Sequence, residues 1–199
     1  PRDPGAPCGS LAAMLPLAIR LARADEAQRI AEIHVRGWQA AYRGLLPDSL
    51  LRRLSVEDRA AYWRRELVEG RQEARHVWCA ARGADPLGFA AIGPSRDLGS
   101  GADTGEVYAI YLEPDVVGTG VGRLLFAHAV DHLRREGFRA AILWVLATNT
   151  RASRFYEGAG CCVDGAEKTE DWHGTALHEV RYRIDLALAA PLQQAPRPL

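Results

Sequence analysis

The sequence predicts a mixed α/β fold, a mostly antiparallel sheet of six to seven strands flanked by helices, and three observations carry that prediction. Two strand-like runs, RHVWCAAR at 75–82 and LGFAAI at 87–92, follow an opening strand at Ile19 to Arg23 and read as an antiparallel meander. An alternating strand at 105–112 then passes through Gly118, Gly120 and Gly122 into a helical pattern. The next apolar run, AAILWVLA at 140–147, shows no alternation, as expected of a strand covered on both faces. Strand, helix and buried strand in that order require a parallel, right-handed crossover. Antiparallel and parallel pairing therefore meet in one sheet.

The remaining elements follow in chain order. Asp25 opens a helix in which Ala27, Ile30, Ala31, His34, Trp38, Ala41 and Tyr42 recur at spacings of three and four, ended by Gly44 and Pro47. A second helix starts near Asp48. Ser55 with Asp58 resembles the capping box of a third, which runs to about Glu69. Gly83, Ala84, Asp85 and Pro86 form the turn of the meander. Gly137 caps the crossover helix, with Phe138 packing just beyond it. Asn149 begins a short helix, NTRASRFYEGAG, and strands near 161–166 and 177–185 close the domain, joined by a polar loop that holds Trp172 and His173. Residues 1–16 and 188–199 read as tails around one domain at 17–187, and Met14 is a candidate natural start.

Composition narrows the function classes. With 199 residues, 48% hydrophobic and 25% charged, the chain suits one substantial core and a single soluble domain. Zero net charge gives no reason for a nucleic-acid or anionic-membrane partner, and no run of about 18 apolar residues is present. The four cysteines, Cys8, Cys79, Cys161 and Cys162, have no CxxC spacing and no His/Cys cluster that suits zinc. They read as reduced thiols of a cytoplasmic protein, and no metal is expected. A homodimer is possible; nothing in these residues decides it.

The chemistry concentrates in GEVYAIYLEPDVVGTGVGRLLFAH, residues 105–128. Alternation puts Glu106, Tyr108, Ile110 and Leu112 on one side of the strand and Val107, Ala109 and Tyr111 on the other. Pro114 removes a donor and restricts Glu113, so pairing should fail there. The glycines that follow let the backbone approach a ligand, and the first N–H groups of the helix have no partner within it. Strand, glycine turn and helix N-terminus make an anion cradle. It is neither a dinucleotide fingerprint, since Arg123 stands where GxGxxG needs its third glycine, nor a P-loop, which needs Gly-Lys-Ser/Thr.

Three segments together resemble the GNAT superfamily of acyl-CoA-dependent N-acetyltransferases: YLEPDVVGTGVGRLLF, NTRASRFYEGAGC and RGWQAAYRGLLPDSLL. The resemblance spans about residues 17–186. It implies a sheet splayed between its fourth and fifth strands near Glu113 and Pro114, with the pantetheine arm of acetyl-CoA in the gap. Backbone groups near Leu112 would pair with that arm. The N–H groups from Val117 through Gly118, Thr119, Gly120, Val121 and Gly122, at the helix start that Arg123 continues, would hold the pyrophosphate. Asn149 would bond the pantetheine arm, cap the short helix, or do both. The chain departs from the family pattern Q/R-x-x-G-x-G/A at Val117, which stands where Gln or Arg is usual and puts cofactor affinity in question.

The resemblance also implies roles in direct attack by an amine through a tetrahedral intermediate. Tyr156 falls at the position of the tyrosine that protonates the departing thiolate; the other reading is an aromatic that packs the helix on the sheet. Glu106 matches a position that serves as base in some members; the other reading is a solvated carboxylate at the start of the strand. Glu113, a held water or His128 would be the base if Glu106 is not. Trp38 and Tyr42 read either as core aromatics or as part of an acceptor pocket, with Tyr108 and Trp172 also expected near it. The expected acceptor is a small-molecule or peptide amine. An acyl-CoA-binding regulatory protein that kept the cradle and lost efficient transfer is the alternative function.

Overall fold

The computed structural model describes residues 15–187, apart from the side chains at 71 and 72. The expected C-terminal tail and most of the N-terminal one, with Cys8 and Met14, lie outside those residues. Among the described residues seven strands are present: β1 (Leu17–Leu21), β2 (His76–Arg82), β3 (Asp85–Pro94), β4 (Thr104–Leu112), β5 (Ala140–Leu146), β6 (Cys162–Trp172) and β7 (Thr175–Asp185). The helices are α1 (Ala27–Tyr42), α2 (Asp48–Leu51), α3 (Val56–Glu69), α4 (Val121–Arg135) and α5 (Thr150–Glu157). Strand order is β1-β2-β3-β4-β5-β7-β6. Every pairing is antiparallel except β4 with β5, the parallel crossover through α4.

Two apolar layers hold the helices to the sheet. On one face Leu125, Phe126, Ala129 and Leu133 of α4 pack on Val107, Leu143, Val145 and Ile184, with Tyr156 of α5 in the same cluster. On the other, Ile30 and Ile33 of α1 and Ala60 and Trp63 of α3 pack on Val77, Cys79 and Phe89. Fully burying each large side chain stabilises the fold by about 1.5–3 kcal/mol. Local signals set the helix ends. Ser55 Oγ accepts from the Asp58 N–H at 3.1 Å. Gly137, at φ +94°, turns the chain out of α4 while the Phe138 N–H reaches back to the Leu133 carbonyl at 3.2 Å.

Two expectations need correction. The polar loop at 167–176 is instead the body of a hairpin: β6 and β7 run eleven residues each and meet in a two-residue turn, His173 (φ +52°) and Gly174 (φ +81°). Trp172 therefore ends a strand. A register shift between Val163 and Glu167, with Gly165 at φ +89°, interrupts the alternation that would have shown β6 in the sequence.

The second correction concerns β4. Ala91 pairs with Ala109 but Ile92 pairs with Val107, so Tyr108 is an extra residue on β4. The bulge reverses the alternation beyond it. Val107, Ile110 and Leu112 belong to the α4 face, whereas Tyr108, Ala109 and Tyr111 belong to the α1 face. Glu106 and Leu112 thus lie on opposite faces, contrary to simple period-two counting.

Candidate active site

β4 joins β5 only through Thr104, Gly105 and Glu106, opposite Ala140, Ala141 and Ile142. Beyond that point both strands continue, β4 held by β3 and β5 by β7. A wedge opens between Val107–Leu112 and Leu143–Leu146. The parting starts at Glu106, well before Pro114. At Pro114 it is the pairing with β3 that ends, after the Glu113 N–H donates to the Leu87 carbonyl at 2.8 Å. Glu113 is buried and held by Arg29 and by Arg36, whose Nε donates at 3.0 Å. These pairs pin the end of β4 to α1. Gly37 lets α1 come that close: a Cβ there would meet the Leu112 carbonyl at 3.0 Å and Tyr111 Cβ at 3.1 Å.

The wedge contains a cleft of about 430 Å³ lined by β4 from Val107 to Leu112, by Val117, Gly118, Gly120, Gly122 and Arg123, and by Asn149, Arg151 and Tyr156. One row of β4 backbone groups faces it without a partner strand. At its end Gly118 (φ +88°) and Gly120 (φ +91°) adopt the left-handed conformation, and Gly120 delivers the chain into α4. The N–H groups of Val117, Thr119 and Arg123 close local turns. Among the described residues those of Gly118, Gly120, Val121 and Gly122 donate to no acceptor in the chain. Four free donors at the positive end of a 15-residue helix fit a phosphate or pyrophosphate.

Val117 is on the cleft wall, 37% exposed and without a polar group to offer. Thr119 secures the turn, its hydroxyl donating to the Val116 carbonyl at 2.7 Å. Val121 turns its side chain into the core, leaving only its backbone for a ligand. Asn149 caps α5, Oδ1 accepting from the Ala152 N–H at 3.1 Å, and lines the cleft. Tyr156 packs on Phe126, Phe155 and Tyr182 with its ring on the cleft wall. Burial pushes its phenol pKa up, with the Tyr42 phenol adding to the shift.

A second chamber, about 750 Å³, shares Tyr42, Val107, Tyr108, Tyr111 and Trp144 with the first. Trp38 and Glu106 also line it, and Trp172 packs on Trp38 with ring centroids 4.6 Å apart. Glu106 is 2% exposed, so it is not a solvated carboxylate. Arg96 grips it through its backbone N–H (2.8 Å), Nε (3.3 Å) and a terminal nitrogen (2.5 Å). The Arg96 guanidinium also lies 4.2 Å from the Tyr108 ring centre. Other candidate bases fare differently. Glu113 is locked by two arginines, and neither it nor His128, which packs edge-on against Trp78 at 4.2 Å, lines either cavity. His34 accepts from Trp63 Nε1 at 3.2 Å, and burial pushes its pKa down to about 3.

The chamber also holds groups that sequence reading missed: Asp97, Glu167, Lys168, Glu170, Glu179 and Arg181. Leu177, Glu179 and Arg181 share a face of β7 at period two, a signal that was present in the sequence. Burial raises the pKa of Glu179 against the lowering effect of Lys168, 3.2 Å away.

This geometry agrees with what the chain is similar to. The profile of the Acetyltransferase (GNAT) family matches residues 27–161. The N-acetyltransferase YuaI of Bacillus subtilis, itself uncharacterized, is 30% identical over 131 residues, covering 66% of this chain and 72% of that protein. A mycothiol acetyltransferase of Cellulomonas flavigena is 42% identical over 64 residues, 32% of this chain and only 18% of that protein. Among solved structures, the PaiA N-acetyltransferase of Thermoplasma acidophilum in complex with coenzyme A superposes with a TM-score of 0.66 at 17% identity, over 86% of this chain and 99% of that one. YncA of Salmonella typhimurium with acetyl-CoA gives 0.63 at 20% identity, over 88% and 97%. The splayed sheet is that of an acetyltransferase fold. The chain belongs to the GNAT acetyltransferase family.

The loop geometry makes a direct prediction. Gly120→Ala places a Cβ in open space but forces an L-residue to φ +91°, a strain of about 1–2 kcal/mol that the loop relieves by turning its N–H groups away. Acetyl-CoA affinity should fall about tenfold, with melting temperature changed little, as calorimetric titration of the variant would show.

Proposed function

We propose that the protein is an N-acetyltransferase that moves the acetyl group of acetyl-CoA to an amine by direct attack. The observation that carries this reading is the continuity of one wedge, with free helix N–H donors at one end, an unpaired strand edge along its length and a buried carboxylate at its apex. The open edge of β4 suits the amide-bearing pantetheine arm, as a sheet edge suits an added strand. The donors of Gly118, Gly120, Val121 and Gly122 suit the pyrophosphate, and Arg123 and Arg151 on the cleft wall add charge. A backbone N–H aimed at the developing oxyanion is worth about 3 kcal/mol.

In the transfer the amine nitrogen forms a bond to the acetyl carbon, the carbon–sulfur bond breaks, one proton leaves the nitrogen and another reaches the thiolate. Tyr156 is the donor for the thiolate. Glu106 receives the amine proton through water, because Arg96 occupies three of roughly four lone-pair positions on its carboxylate. The acceptor enters from the second chamber. Five carboxylates line it against three cations, Arg96, Lys168 and Arg181, beside an aromatic wall of Trp38, Tyr42, Tyr108 and Trp144. That lining favours an acceptor that is cationic in solution over a neutral or acidic one.

Thiol release from acetyl-CoA, followed with a polyamine, a peptide with a free α-amine, a lysine peptide and small aromatic amines, tests the proposal. Release matched by acetylated product is expected for at least one cationic amine. The apolar Val117 at the phosphate loop favours the second reading, a regulatory protein that binds acyl-CoA. Acetyl-CoA binding without thiol release across the panel would select that reading.

A further inference from the structure

The far end of α4 carries a second constellation. His132 and Glu136 stand one helical turn apart at the C-terminal end of the helix, and His76 of β2 faces them. The His76 and His132 rings meet edge to face, with centroids 4.6 Å apart and planes at 82°. His132 Nε2 lies 3.8 Å from Glu136 Oε1, and one donor atom from each of the three residues falls within 4.8 Å of the others. Donors around a tetrahedral ion at about 2.1 Å stand about 3.4 Å apart, so closing the set requires movements of about 1 Å. Glu136 is exposed and free to make them.

We propose that His76, His132 and Glu136 form a binding site for a divalent cation of the zinc type, which ties the C-terminal end of α4 to β2. Two imidazoles and one carboxylate suit zinc far better than magnesium or calcium, which take oxygen ligands, and three protein ligands leave a position for water. His132 Nε2 is buried and has no hydrogen-bond partner among the described residues. None of the three residues lines either cavity of the wedge. His132 lies eleven positions beyond Val121, about 16 Å along the helix. The ion would brace the helix whose other end presents the anion donors. His132 and Glu136 are four positions apart, but His76 lies 56 residues before His132, so no contiguous zinc motif announces the set.

The competing explanation is a packing cluster, since Trp78 touches both His128 and His132. Metal uptake by the full, tag-free chain, stripped with chelator, separates the two. Titration with zinc chloride should show one equivalent bound with Kd at or below about 10 µM. Zinc at a hundredfold excess over Kd should raise the melting temperature by about 5–10 °C. Cobalt(II) in its place should give the visible d–d bands of a low-coordinate site. Glu136→Gln, at an exposed position, should weaken uptake about tenfold, and His132→Ala about a hundredfold. Circular dichroism and acetyl-CoA binding establish that each variant is folded. Absence of stoichiometric uptake by the parent chain, or uptake unchanged in either folded variant, overturns the site in favour of packing alone.

Discussion

Tyr156→Phe is expected to lower kcat about 1,000-fold while leaving KM for acetyl-CoA within about twofold. The substitution removes only the hydroxyl. The ring contacts with Phe126, Phe155 and Tyr182 remain, so neither α5 nor the cleft wall has reason to move. Burial raises the phenol pKa, which keeps it protonated over the whole working range but makes it a weaker acid. The same burial raises the proton affinity of a thiolate leaving into the cleft, so donor and acceptor shift together and the transfer is not disfavoured. Without the hydroxyl the thiolate must leave as an anion into a poorly solvated space. An acetyl thioester of a more acidic thiol should therefore recover much of the lost rate, which a merely structural tyrosine would not produce. A kcat unchanged across pH with acetyl-CoA would remove Tyr156 from the mechanism.

The parts of the fold that rest on period and order were legible in the sequence. The meander, the parallel crossover and the glycine entry into α4 are set by residues whose pattern survives in isolation: Val121, Leu125, Ala129 and Leu133 repeat on one face of a helix, and Gly137 ends it. What escaped were features that break period. The extra residue Tyr108 reverses the faces of β4 after Val107, and no local composition distinguishes a bulge from continued alternation. Gly165 hides β6 in the same way, and with it part of the charged wall of the second chamber. The cleft residues Gly118, Gly120 and Asn149 were recognisable because backbone conformation and capping are local demands, whereas Tyr156 was reached only through the family resemblance. Arg96 was not, because its place beside Glu106 depends on how the loop after β3 folds back over the sheet.

That arginine shapes the second expectation. Glu106→Gln should lower kcat/KM about 100-fold at pH 7 and only a few-fold near pH 10. A lysine-like ammonium with pKa near 10.4 is neutral in about one molecule in 2,500 at pH 7, a free-energy requirement of about 4.6 kcal/mol that a base relieves. The neutral fraction rises tenfold per pH unit, so the need for the carboxylate fades as pH approaches the amine pKa. Glutamine preserves the shape and can still accept from the Arg96 N–H, but it cannot receive a proton. The Arg96 side chain, 61% exposed, can turn to water, so the fold survives with a lower melting temperature. A loss of stability alone would reduce activity without this dependence on pH. If the pH–rate profile of Glu106→Gln has the same shape as that of the parent chain, the proton goes elsewhere. Glu179 is then the residue to test: it lines the same chamber, and burial raises its proton affinity.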